Sequence, residues 1–450
     1  MRKLFAFLTL GIVVLLSACS SEGNSTQGQE GDKPSSTENT RMQEVTFWHS
    51  MGGAAQESLN KIVGDFNKSQ DKIHVKALYQ GTYDESLTKF NAVAGSDSAP
   101  TVIQTFEIGT KAMINSGQIL PIQELIDADG YDMSELEENI TKYYSLDGKF
   151  YSMPFNSSTP VMYYNKDAFK AAGLNPDAPP KTFEEVAEAS KAIVESNPKM
   201  KGFALQAYGW LWEQLLANQG ALLLNNDNGR KETPTEIGWS EEEGKSILNW
   251  VKNMVDDGTF ANYGTNYDNM MAGFLAGDVS MFLQSSASSG DIIDNASFEV
   301  GIAYLPYPAN KVRQGVVIGG ASLWMTAGKP DAEQKAAWEF MKYLQTPKVQ
   351  AEWHVETGYF AINPSAYEEQ IVKDAWAKKP QLQVTVNQLQ DTKESYATQG
   401  ALMDMLPEGR KIIETALETI YNGGDVNQAH RSAVEQFNAA IKQANAARGE

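Results

Sequence analysis

The residue types most often recruited to bind metals or attack substrates are scarce here: one cysteine, Cys19, and four histidines, His49, His74, His354 and His430. No pair of these histidines has ligand spacing, and a lone cysteine can form neither an internal disulfide nor a cysteine-based metal site. Nucleophile-elbow, phosphate-loop, dinucleotide-fingerprint, zinc-protease and EF-hand patterns are also missing. The histidines therefore read as surface or satisfied core residues, no metal or cofactor is expected, and the chain does not read as an enzyme. One catalytic class leaves no such trace. The two acids of a glycosidase need not be close in sequence, so a tethered, secreted polysaccharide hydrolase or lyase stays open.

Cys19 is explained by its setting. Arg2 and Lys3 precede an apolar run from Leu4 to Leu16, the layout of a secretory signal and too short for a stable membrane span. The run ends in Leu16-Ser17-Ala18-Cys19, which has the form of a bacterial lipobox. Residues 1–18 then read as a signal peptide, and Cys19 as the lipidated N-terminus that anchors the protein to the outer face of the cell membrane. From Ser20 to Arg41 there is no aliphatic or aromatic residue to offset ordering entropy. Residues 19–42 read as a flexible tether, with a mean reach of about 25 Å.

The positioning elements must come from the chain beyond the tether. A 450-residue chain exceeds the size at which one core stops growing, so two lobes are expected. With 42% hydrophobic and 21% charged residues, burial material is ample. The formal charge of −20 repels polyphosphate backbones and excludes nucleic acid as a partner. Any small anion must then be held by local donors rather than by long-range steering.

Val45 and Phe47 alternate with polar neighbours, as do Ile73, Val75, Ala77 and Tyr79, which predicts two half-buried strands. Between them Leu59, Ile62, Val63 and Phe66 share one helical face. Further helical faces occur at Val186-Ala189-Ile193, Ile247-Val251-Met254-Val255 and Ala337-Phe340-Met341-Leu344, with short apolar segments at Thr101–Ile103 and Val316–Ile318. Thr182 and Glu185 form a capping-box signature. Residues 408–445 should be two helices broken at Asn422-Gly423-Gly424. Helices alternating with apolar segments imply α/β layers.

Long, dispersed stretches carry a resemblance: Phe47-Trp48-His49-Ser50-Met51, Gly81-Thr82-Tyr83-Asp84-Glu85, Pro154 to Val161, Tyr163 to Lys170, Ile318-Gly319-Gly320-Ala321-Ser322-Leu323-Trp324, Ala351-Glu352-Trp353-His354 and Thr357-Gly358-Tyr359. Through them the chain resembles the extracellular solute-binding proteins of ABC importers, family 1, and most closely the branch that binds sn-glycerol 3-phosphate in Ugp-type systems. The resemblance implies a type II, maltose-binding-protein-like α/β fold, with ligand in a cleft between two lobes and closure by hinge motion. It implies one lobe from 43–160 with 319–364 and the other from 161–318 with 365–450, with crossings near 159–163, 314–319 and 360–368. The implied partners are a small ligand and the membrane permease of the importer, and the protein is expected to act as a monomer.

Carried over by position, the family's ligand contacts fall on Tyr83, Glu107, Ser158, Ser285, Gly320, Tyr359 and Arg410. Arg410 would offer a planar fork to phosphate oxygens. Tyr83, Tyr359 and the serines would give neutral donors, Gly320 a close backbone N–H, and Glu107 an acceptor for the glycerol hydroxyls. Each has a plainer reading: Arg410 as a solvated surface arginine, Glu107 as a cap or surface partner, Gly320 as a hinge bend and the tyrosines as rim or core residues. The chain departs from the family twice. Tyr208-Gly209-Trp210-Leu211-Trp212 replaces two tryptophans three residues apart, which assigns Trp210 to the cleft and Trp212 to the core. In Gln284 to Gly290 a gapless match selects Ser285 and a shifted one Ser288. A glycerophosphodiester, or a sugar or oligosaccharide stacked on aromatic rings, is the alternative cargo.

Overall fold

The structure is a computed structural model that describes residues 42–449. Cys19, the signal segment and the tether lie outside the described residues. The described body is built on two main sheets flanked by helices. The strands of the first are β1 (Gln43–His49), β2 (Ile73–Tyr79), β3 (Val102–Phe106), β4 (Ile119–Leu120), β7 (Met153–Ser158) and β13 (Gly319–Thr326). They run in the order β2-β1-β3-β13-β4, with β7 also paired to β13. A small hairpin, β5 (Ser145–Leu146) with β6 (Lys149–Phe150), stands apart. The second sheet comprises β8 (Pro160–Asn165), β9 (Lys201–Ala204), β10 (Phe260–Ala261), β11 (Val279–Ser285) and β12 (Val300–Ala303), in the order β10-β9-β11-β8-β12.

In each sheet a parallel core meets an antiparallel strand. β1 pairs in parallel with β2 and β3, whereas β13 runs against β3. In the second sheet β11 is parallel to β9 and antiparallel to β8. The chain passes from the first sheet to the second through Thr159 alone, since β7 ends at Ser158 and β8 begins at Pro160. It returns through residues 304–318, which contain no strand. Val316 and Val317, an apolar segment by sequence, are instead buried in irregular backbone. Their N–H groups are satisfied by side chains, Val316 N–H by Thr392 Oγ1 at 3.2 Å and Val317 N–H by Gln214 Oε1 at 2.9 Å. A buried segment can leave the sheet only because such partners exist.

The amphipathic faces lie where their periodicity places them. In helix Gly53–Ser69, Leu59, Ile62, Val63 and Phe66 are buried against the first sheet's core. Full burial of each such side chain contributes about 1.5–3 kcal/mol. Helix Phe183–Ser196 begins with the capping box of Thr182 and Glu185, and buries Val186, Ala189 and Ile193. The C-terminal stretch divides into Leu406–Tyr421 and Val426–Arg448, broken at Asn422-Gly423-Gly424, with Gly423 at φ +83°.

Candidate functional site

The carboxyl ends of the parallel strands in an open α/β sheet are where such folds place ligands, and here those ends meet along a seam between the sheets. On the first sheet, β3 ends at Phe106 and is followed at once by Glu107. On the second, β11 ends at Ser285, and β9 leads through Tyr208 into helix Gly209–Asn218.

Tyr83 is the first residue of helix Tyr83–Val93, which opens with a capping box: Thr82 Oγ1 accepts from Glu85 N–H at 3.3 Å, and Glu85 Oε2 accepts from Thr82 N–H at 2.9 Å. That fixes the backbone from which the phenol projects. Its ring stacks on Phe106 with centroids 5.5 Å apart, and its hydroxyl accepts from Asn156 Nδ2 at 2.8 Å. Asn156 is itself oriented, because its Oδ1 accepts from Gln104 Nε2 at 2.6 Å while Gln104 Oε1 accepts from Ser50 N–H at 2.7 Å. A buried amide chain thus ties three strands to one hydroxyl.

Tyr359 joins this group. Burial raises its phenol, opposed by hydrogen bonding to Asn156 and Tyr83. Burial likewise raises Tyr83 well above the ordinary phenol, with Tyr359 adding to the effect. Both hydroxyls are therefore kept protonated, as neutral donors must be. Tyr359 is gripped from behind: Trp353 stacks on its ring at 5.7 Å, and its carbonyl lies 2.7 Å from His354 Nδ1.

Ser158 and Ser285 meet across the seam, with Ser285 Oγ donating to Ser158 Oγ at 2.9 Å. Ser288 instead pairs with the hydroxyl of Tyr267 at 3.0 Å. Gly320 lies opposite Ser157 in the β7–β13 ladder, at φ +96°. A Cβ there would overlap the carbonyl oxygen of Asn156, so a side chain at 320 would displace the amide that holds Tyr83. Trp210 and Trp212 are both buried. The Trp210 indole lies against Gly319, and its Nε1 has no hydrogen-bond partner among the described residues. Trp212 packs edge-on to Trp239.

Arg410, in helix Leu406–Tyr421, is not a solvated surface residue: only 6% of it is exposed. Its Nη2 donates to Glu107 Oε1 at 2.6 Å and to Glu213 Oε2 at 2.7 Å, and its Nε donates to Glu213 Oε1 at 2.8 Å. Burial opposes its charge, but the carboxylates of Glu213 and Glu107 overcome this and raise its pKa. Burial raises Glu107, with the guanidinium pulling the other way. The helix reaches this position because Gly209 has no side chain, where a Cβ would lie 2.5 Å from the Arg410 Cα. Glu107 is therefore engaged through Oε1 as one arm of a cluster that bridges the end of β3 and the helices of the second sheet.

Glu213 is a member of the cluster that sequence reasoning missed. Its signal was available, since it is the one acidic residue in helix Gly209–Asn218, in which nine of the ten residues are buried.

A groove of about 610 Å³ opens on the seam, lined by Ser285, Ser286 and Ser288 on one side and by Gly358, Tyr359 and Gly52–Ala55 on the other. That is ample for a small ligand. A larger cavity of about 880 Å³ lies at the β12 edge, away from these groups. There Lys166 is already paired with Asp177 at 2.8 Å and Glu299 at 2.7 Å. Chemistry favours the seam over size.

Residues 61–384 match the family described as bacterial extracellular solute-binding protein. The chain belongs to that family. Among relatives of this solute-binding protein, the sn-glycerol-3-phosphate-binding periplasmic protein UgpB of Pectobacterium atrosepticum is 33% identical over 407 residues, covering 89% of this chain and 91% of the relative. Its counterpart in Brucella abortus is 33% identical, covering 88% and 93%. Among solved structures, UgpB from Mycobacterium tuberculosis in complex with glycerophosphocholine superposes with a TM-score of 0.76 at 23% identity, over 89% of this chain and 98% of that one. A cyclic alpha-maltosyl-1,6-maltose binding protein from Arthrobacter globiformis gives 0.75 at 23% identity, over 90% and 100%. The fold is the two-lobe α/β architecture of solute-binding proteins, and proteins of this family act outside the cytoplasm in transport.

Proposed function

We propose that this protein is the substrate-binding lipoprotein of an ABC importer that captures sn-glycerol 3-phosphate, or a glycerophosphodiester, in the cleft between its lobes and delivers it to the permease. The reading is supported by pairings between distant parts of the chain along the seam, Arg410 with Glu107, Tyr83 with Asn156 and Ser285 with Ser158, beside a groove that Ser285 and Tyr359 line directly. The names of the relatives point to the same ligand class. Arg410 faces the phosphate, the hydroxyls of Tyr83, Tyr359, Ser158 and Ser285 and the N–H of Gly320 complete the donors, Trp210 walls the cleft, and Glu107 both holds Arg410 and accepts from glycerol. No reaction is catalysed. Ligand contacts available only in the closed state shift the population toward it.

The lobes join at Thr159, at 304–318 and, in our assignment, at helix Leu382–Gln390 rather than at 360–368. In support, Leu382 and Val384 pack with the second sheet's aromatic cluster, whereas Val386 and Leu389 pack into the first sheet's core. Ala361 and Ala366, by contrast, pack with Ala351 of helix Pro347–Thr357. Cys19 carries the lipid that holds the monomer at the outer face of the membrane. Cys19→Ser should release the protein into the medium, which immunoblotting of cell and culture fractions reads directly.

Calorimetric titration of the purified protein with glycerol 3-phosphate, glycerophosphocholine and maltose tests the ligand. Saturable binding of either phosphate compound is expected. Binding of maltose alone would move the protein to the sugar-binding alternative, and turnover of polysaccharide would move it out of transport altogether.

A further inference from the structure

Two carboxylates share one guanidinium at the heart of the site. Glu213 occupies the Nε/Nη2 edge of Arg410 as a fork, at 2.8 and 2.7 Å, and Glu107 takes a further hydrogen of Nη2 at 2.6 Å. Nη1 makes no hydrogen bond among the described residues. With all three groups ionised the cluster carries a net charge of −1, although it contains the cation assigned to the ligand.

We propose that Glu213 is the positioning and charge-setting residue of this site: it orients Arg410 so that Nη1 is left for the ligand, and it makes the cleft prefer a monoanionic phosphate to a dianionic one. This rests on the reading of Arg410 as the phosphate donor. A phosphate monoester loses its second proton near pH 6 and is a dianion at pH 8, whereas a diester stays monoanionic. Both would meet the same Nη1 and the same hydroxyls. The dianion adds a second unit of attraction to Arg410 and a second unit of repulsion against each of Glu107 and Glu213, so with all three ionised the balance of a cluster of charge −1 is repulsive. At an effective dielectric of about 20, one extra charge a few ångströms away is worth more than about tenfold in affinity.

One further buried cation stands near the cluster: Arg230 lies over the Tyr143 ring at 5.2 Å, donates to the carbonyls of Gly400, Gln399 and Tyr143, and offsets part of the repulsion for every anionic ligand. Tyr208, whose ring centroid is 5.8 Å from the guanidinium, has its phenol pushed up to about 12 by burial, so it is neutral. Tyr143 is likewise raised by burial, as is Tyr83 beyond Glu107. Glu414, which accepts from Gly209 N–H at 3.4 Å, adds negative charge when ionised. Its other charged neighbours are Lys411, which is exposed, and Glu418.

The test is a titration of the full-length protein with glycerol 3-phosphate and with its monomethyl ester, at pH 5.5, 7 and 8. For the wild type, affinity for the monoester should fall about tenfold across this range while affinity for the methyl diester stays level. Glu213→Gln keeps an oxygen acceptor but removes the charge. At pH 8 it should shift the monoester-to-diester affinity ratio about tenfold toward the monoester, and Glu213→Asp should restore the wild-type ratio. A purely structural role would weaken both ligands equally at every pH, and an unchanged ratio overturns the inference. The wild-type pH series decides independently of any variant's folding: a level ratio there also overturns it. If both ligands bind and the ratio is level, only this inference fails. If neither binds, the phosphate reading fails with it.

Discussion

Arg410→Met is the most revealing single change, because it removes a cation and leaves two carboxylates behind. Glu107 and Arg410 are 5% and 6% exposed, so water replaces little of what is lost. Breaking a buried ion pair by deleting one partner costs about 3–5 kcal/mol. For a body of roughly 400 residues, with an unfolding entropy of about 2.1 cal/mol/K per residue, that corresponds to a fall in Tm of about 4–6 °C. The sign of the pH dependence is set by Glu107. Its pKa is already raised by burial, with Arg410 holding it down. Without the guanidinium it rises further, so the folded state keeps a proton that the unfolded state has released. Stability then declines as pH rises from the unfolded carboxylate range through the folded pKa, and the deficit against wild type is larger at pH 8 than at pH 5. Urea unfolding at both pH values measures this. The triple variant E107Q/E213Q/R410M should recover to within about 1 kcal/mol of wild type, because the unpaired charges are gone. If R410M matches wild type at pH 8, or the triple variant is no better than R410M, the buried-cluster reasoning is wrong.

Gly320→Ala should destabilise by about 1–3 kcal/mol through left-handed strain, and by more through the overlap with the Asn156 carbonyl; an unchanged urea midpoint would refute this. Tyr83→Phe removes the acceptor of Asn156 Nδ2, and should cost about 1–3 kcal/mol of stability while weakening ligand binding, read by unfolding and titration in parallel. His49 is buried between Phe47 and Tyr79, and its Nδ1 accepts from Met51 N–H at 3.3 Å. Burial lowers its pKa from 6.5 to about 4, so its contribution is complete above pH 6.5 and is lost as pH falls toward 4, when the unfolded state takes up a proton first. In His49→Phe the drop in Tm between pH 6.5 and 4 should be smaller than in wild type; an equal drop would show that other groups carry it.

The fold was legible wherever one local period dictated one buried face. The helix through Leu59, Ile62, Val63 and Phe66, the capping box at Thr182 and the break at Asn422-Gly423-Gly424 need only neighbours within a turn or two. Val316–Ile318 shows the limit. Its composition suits a strand, but the segment is satisfied by Gln214 and Thr392, whose proximity is a property of the tertiary structure. The motif Phe47-Trp48-His49-Ser50-Met51 acquires a physical meaning only in three dimensions, where Ser50 N–H anchors the amide chain that ends at Tyr83.

Arg410 is the sharpest case. By sequence it stands in a polar helix start and suits solvent equally well; only the resemblance pointed to it, and its burial between two carboxylates appears only in the structure. What neither route supplied was Glu213, because a single acid among buried neighbours declares that it must be paired without declaring with what. Its partner lies 197 positions away in the chain. Under the proposed function, the pairing also gives a chain of charge −20 a way to hold an anion. The cation is withdrawn from solvent and kept charged by two carboxylates, and in the proposed function the edge they leave uncovered is the one that meets the ligand. Attraction then depends on a few donors at contact distance, and selectivity on how much negative charge the ligand adds beside them.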